Sequence, residues 1–190
     1  MRFDEFVVGH GVAVSAVDEF AGFLVEVGIP ADWDSFDSTT GMRVWIWRGD
    51  PGIREFCANA VLTMHSVEAV LDADEVFAML VDQQVQSVPG SHELHRELAA
   101  ATEGAGGVGT LAMQITHDLG TIDSVSRSRI ITTEQETLIA QLTVTALHGS
   151  PVDRADVWLT VRTGASTGPV SASHRRGVPV DGRKTVADGR

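Results

Sequence analysis

Tyrosine is absent from this chain of 190 residues, and cysteine occurs once. A lone thiol, Cys57, excludes an internal disulfide framework and leaves a cysteine-rich metal site without ligands. Cys57 is read as a small apolar residue buried in a strand. No apolar run approaches the roughly 18 residues of a bilayer-crossing helix, so no transmembrane segment is expected. The amino end, MRFDEFVVGHGVAVSAV, is interrupted by Asp4, Glu5 and His10 and lacks the charged-then-apolar order of an export leader. As written, the chain is expected to be cytoplasmic, or exported by a route that uses no standard signal.

Basic residues are also scarce: 14 Lys and Arg stand against 26 Asp and Glu, for a net charge of -12. The deficit is uneven, because residues 164–190 carry +3 and residues 1–163 carry -15. An acidic body repels phosphate over most of its surface, which excludes nucleic acid as the expected partner.

Catalytic signatures are missing as well. Residues 104–109, GAGGVG, spell a dinucleotide fingerprint, but that motif needs a strand before it and a helix after it, and the following LAMQITHD alternates like a strand. The run is read as a turn. His92-Glu93-Leu94-His95 is one residue too short for two imidazoles to share a helical face around zinc. His65, His117 and His148 fall on separate predicted strands. No nucleophile elbow, phosphate-binding loop or paired-carboxylate pattern is present, so neither catalysis, a cofactor nor a metal is expected.

What is present is an ordinary globular composition, 43% hydrophobic and 21% charged, able to bury a core without cross-links. The chain divides into an N-terminal arm over 1–20, a folded domain over 21–163 and a flexible basic tail over 164–190. The arm is read as a short strand or a hairpin about Gly9 and Gly11. Residues 22–28 form a strand that Pro30 stops by removing a ladder donor. In GMRVWIWRG, Met42, Val44 and Ile46 alternate with Arg43, Trp45 and Trp47, so both faces of that strand should be covered. Asp50-Pro51-Gly52 is a turn, and CANAVLTMHSV a second strand.

Asp72 caps a helix with Glu75 three residues on, an apolar face running from Val76 to Val88, and Pro89-Gly90 ending it. Three antiparallel strands follow, VGTLAMQITHD, TIDSVSRSRIITT and TLIAQLTVTALH. Ser150, Pro151 and Asp153 then predict a second helix up to Gly164, with Val152, Ala155 and Leu159 inward. Strands, helix, strands, helix is the order of an α+β domain.

Arg127 and Arg129, two apart on one predicted strand, project from the same face. Such a pair can grip a phosphate or carboxylate through forked hydrogen bonds. With so many carboxylates in the body, the expectation is that both arginines are paired with neighbouring Asp or Glu.

The strand ending in GIPADW, the alternating strand after it, then CANAVLTM, and finally LIAQLTVTA before a loop and a C-terminal helix resemble the LpqN/LpqT family of actinobacterial lipoproteins. The resemblance spans about residues 20–163. It implies a PsbP-like α/β/α sandwich, shared with the Ran guanine-nucleotide release factor, in which an antiparallel sheet is covered by helices on both faces. In that frame Trp33 folds back as a plug over the sheet edge. The chain departs from the family in lacking an export signal and a lipid-attached cysteine near its start. The resemblance implies binding and not catalysis: a protein partner first, or a small apolar or anionic ligand carried between sheet and helix, with an enzyme of unknown reaction third. Trp33, Trp45, Trp47, Arg127 and Arg129 are the candidate contact residues.

Overall fold

The computed structural model describes residues 1–164. The predicted tail lies outside them. The elements are α1 (Phe3–His10), β1 (Val14–Ala16), β2 (Phe23–Gly28), β3 (Asp34–Thr39), β4 (Met42–Ile46), β5 (Asn59–Val67), α2 (Ala73–Ser87), β6 (Ser91–Ala100), β7 (Gly107–His117), β8 (Gly120–Thr132), β9 (Thr137–Leu147) and β10 (Trp158–Thr163). The large sheet runs β3-β4-β5-β9-β8-β7-β6, with β1 also paired to β5, and its ladders are antiparallel. A separate two-stranded ribbon pairs β10 with β2.

The alternation in β5 and β9 decides how the sheet is used. Ala60, Leu62 and Met64 stand opposite Val144, Leu142 and Ala140, and all six are buried on one face. Phe23, Val25, Val27, Leu159 and Val161, from the ribbon, pack on that face. On the opposite face α2 buries Val76, Phe77, Met79 and Val81 against Leu111, Met113 and Ile130. Each cluster removes apolar surface worth about 25 cal/mol per Å² from water, so neither layer is dispensable. Between α2 and the sheet runs a polar seam. Ser126 Oγ donates to Gln84 Oε1 at 2.9 Å, and Gln84 Nε2 donates to Gln141 Oε1 at 2.7 Å. Buried polar groups satisfied this way fix the rotation of the helix as well as its docking.

Asp72 caps α2 as expected, its Oδ1 accepting from the N–H groups of Asp74 and Glu75. Pro30 does end β2. Its carbonyl accepts from Trp33 N–H at 3.1 Å, and the chain turns into β3.

Four expectations change. The arm is a helix followed by the short strand β1, and not a hairpin: Phe3, Phe6 and Val7 make one apolar stripe, Glu5 accepts the Arg2 N–H at 3.0 Å, and Gly11, at φ 63°, closes the helix. His92-Glu93-Leu94-His95, rejected as a zinc motif, lies on a strand, β6. The segment DSFDST is an exposed strand at the sheet edge, with no apolar period to announce it.

The predicted C-terminal helix is absent. Asp153 Oδ1 accepts Ala155 N–H at 2.8 Å, which spends the capping signal on a turn. Val157, just before β10, and Leu159 and Val161 within it then alternate inward. The free edge of β2 offers a ladder, and β-branched residues with that period take it. Consequently the sheet is not covered by helices on both faces among the described residues. One face carries the helices and the other carries the ribbon.

Candidate functional site

The ribbon leaves two clefts on its face of the sheet, one along each flank. On the β2 flank a cleft of about 460 Å³ is walled by Phe20, Val27, Trp45, Leu62 and Met64, with Arg43 at its edge. On the β10 flank a cleft of about 420 Å³ is walled by Trp158 and Val161 on one side, the chain around Glu103 on the other, and Val108, Arg127 and Arg129 beneath. A larger hollow of about 720 Å³ opens at the start of α2, where Asp72 and Asp74 offer an anion nothing.

The sequence candidates therefore separate. Trp45 belongs to the apolar cleft. Trp33 is buried in the core beneath the ribbon, and Trp47 packs against the same cluster. Trp47 Nε1 donates to Asp32 Oδ2 at 2.7 Å, which accounts for an acidic residue beside Trp33: it satisfies a neighbouring indole. Cys57 is only partly buried, its pKa raised by burial and then by the charge of Asp50.

Arg127 and Arg129 do project together from β8, on the ribbon face, while Ser124, Ser126 and Ser128 point under α2. The expected carboxylate neighbours are missing. Among the described residues neither guanidinium forms an ion pair. Arg129, only 4% exposed, donates to backbone carbonyls instead, with Nη2 reaching Glu103 O at 2.6 Å and Nη1 reaching Gly107 O at 3.3 Å. Arg127 Nη2 donates to Arg154 O at 2.8 Å, and its Nη1 is buried without an acceptor. Two carboxylates nearby are engaged elsewhere, Asp123 with Arg154 at 3.0 Å and Glu26 with Arg162 through Nε at 2.8 Å, while Glu103 lines the cleft and meets Arg129 through its backbone carbonyl and not its carboxylate.

Burial lowers the pKa of both Arg127 and Arg129. This is the direction expected of a cation removed from water without a counter-ion, although arginine stays charged at any ordinary pH. With Arg127, Arg129 and Arg162 in its lining against one carboxylate, Glu103, the β10 cleft is cationic in an otherwise acidic body and attracts an anion.

Trp158 was missed as a contact residue. Its only sequence signal was its place beside an inner stripe that proved to be a strand.

No protein-family model matches the sequence, and no curated protein matches it. The fold is similar to the crystal structure of LpqN, a protein involved in cell envelope biogenesis of Mycobacterium tuberculosis. The TM-score is 0.62 at 14% identity, covering 78% of this chain and 87% of that one. A structure from Bacteroides thetaiotaomicron aligns at a TM-score of 0.40 and 13% identity, over 77% of this chain and 46% of that one, which is too distant to bear on the fold. The likeness to LpqN is one of fold.

Proposed function

We propose that this chain is a non-catalytic binding module of the LpqN type with a role at the cell envelope. The observation that carries the reading is the pair of clefts beside the ribbon, of about 420 and 460 Å³. Both lie in the size range of small-ligand sites, about 300 to 1,000 Å³. The envelope role is read across from LpqN and rests on shared fold alone, which is analogy.

The test is native mass spectrometry of the tagged chain isolated from an actinobacterial lysate. A retained molecule whose removal lowers Tm, and whose return quenches Trp45 or Trp158 fluorescence, is the expected result. A chain that comes away bare, and gains no stability from the lysate's small molecules or peptides, rejects the reading.

A further inference from the structure

The ribbon has an unfinished edge. Among the described residues β10 pairs with β2 and with no other strand. Gly164 N–H donates to Gly22 O at 2.8 Å, continuing the ladder one position past Thr163 and Phe23 as a hydrogen-bonded pair. Such pairs alternate with non-bonded ones along an antiparallel ladder. Trp158, Thr160 and Arg162 therefore spend their backbone groups on β2, and the N–H and C=O of Leu159 and Val161 face the opposite side.

That side is the cationic cleft. Five consecutive β10 residues, 158–162, line it, and no residue of β2 does. Leu159 and Val161 turn their side chains into the core, so the ribbon lies flat on the sheet. A strand laid beside β10 would cover the outer face of β7, where Val108 is 44% exposed and Thr110 stands next to Arg127 in register.

We propose that this cleft binds an extended acidic peptide, which adds to β10 as a third ribbon strand while Arg127 holds one of its carboxylates. The inference rests on the binding-module reading and names the ligand class for one of the two clefts. Backbone ladders supply the affinity in strand addition and side-chain pockets the selectivity. Here the ladder is the edge at Leu159 and Val161 that no described strand pairs, and the pocket is Arg127 beside the wall that Arg129 holds. A turn of the Arg127 side chain brings its acceptorless Nη1 to the incoming carboxylate as a charge-assisted bond. Arg129 is a positioning residue, since it ties down the chain at Glu103 and Gly107 that forms the far wall. A small amphiphilic anion would also satisfy Arg127, but it would leave the edge of β10 unpaired, and that edge favours the peptide.

The experiment is selection of a displayed library of random peptides on the full chain. Selected sequences are expected to alternate β-branched or aromatic residues with polar ones, to carry Asp, Glu or a free carboxyl end, and to exclude proline at the centre. The best peptide should slow hydrogen exchange at the amides of Leu159 and Val161. R127Q should weaken it about tenfold, the loss of one charged hydrogen bond. Its Tm should move by no more than about 2 °C. Changing the peptide's carboxylate to an amide should cost the same tenfold on the wild type and nothing on R127Q. R127K should recover only part of the loss, because the ammonium lacks the fork.

Neutral or basic selected sequences, a tolerated central proline, or protection elsewhere on the surface would overturn the inference and leave the binding module standing. An empty selection, with decyl phosphate shifting Trp158 emission, would make the cleft a small-anion site and likewise sink the strand. If neither probe binds and native isolation also returns a bare chain, both readings fall together.

Discussion

The indole of Trp158 lies across Gly28, its directly opposed residue on β2, so closely that a Cβ on Gly28 would stand 2.1 Å from Trp158 Nε1. The glycine leaves room for the ring, and the ring covers the bare backbone of the glycine. Gly28→Ala should push the indole outward into water, red-shift its emission and cost about 0.5 to 1 kcal/mol, the worth of one cross-strand pair. Denaturant titration beside a Trp158→Phe control measures both. An unchanged emission maximum would contradict the packing.

Gly106 faces a harder obstacle. At φ +99°, a Cβ there would meet the carbonyl oxygen of Ile130 at 2.1 Å, and a backbone atom cannot swing aside as an indole can. Gly106→Ala should cost about 2 kcal/mol or more. Gly104→Ala, also at positive φ but with its nearest neighbour at 3.7 Å, should cost only about 1 kcal/mol. Urea unfolding of the two variants side by side gives the comparison, and equal losses would refute the account.

Arg129→Met keeps much of the buried side chain but removes the donors that hold Glu103 O, Ala105 O and Gly107 O. A loss of about 2 to 3 kcal/mol is expected, with faster hydrogen exchange confined to residues 101–107 and the neighbouring β7. Stability within about 0.5 kcal/mol of the wild type, as for an ordinary surface change, would show the arginine to be idle.

Asp123 sets an acid limit. Burial pushes its carboxyl pKa up, yet hydrogen bonds with Gln114 and His148, together with the charge of Arg154, outweigh burial and hold it below the ordinary value. A carboxylate depressed in the folded state stabilises fully above its unfolded value, near pH 4, and loses that contribution as the pH falls through the folded one. Asp123→Asn should cost about 1 to 2 kcal/mol at pH 7 and flatten the decline of Tm below about pH 4. A parallel decline in both proteins would place the acid sensitivity elsewhere.

The parts of the fold that could be read from residues are those where several local signals agree. Leu138, Ala140, Leu142, Val144 and Ala146 alternate without a break, and Asp72, Glu75 and the stripe after them agree on where α2 begins. DSFDST carries no such signal, because every residue of β3 is exposed and the strand exists only through its pairing with β4. At Ser150-Pro151-Val152-Asp153 the local signal pointed to a helix, and a tertiary partner, the edge of β2, overruled it.

For the site, a spacing of two was enough to put Arg127 and Arg129 on one face. Composition then misled, since counting carboxylates says nothing about where they lie. Backbone carbonyls from residues 103–107 are what Arg129 meets, and no pattern in the sequence marks a carbonyl as an acceptor.

The ribbon also has a consequence in time. Phe23 pairs with Thr163 across most of the described chain, and β5 waits for β9 across roughly half that span. Contacts this distant close late in folding. On a ribosome, β2 would leave the exit tunnel long before β10 is made, and Leu62, Met64 and Leu142 would stand bare in the interval. Synthesis of this protein therefore includes a stage in which an apolar sheet face is open to misassociation, and a holding chaperone during that stage should raise its yield.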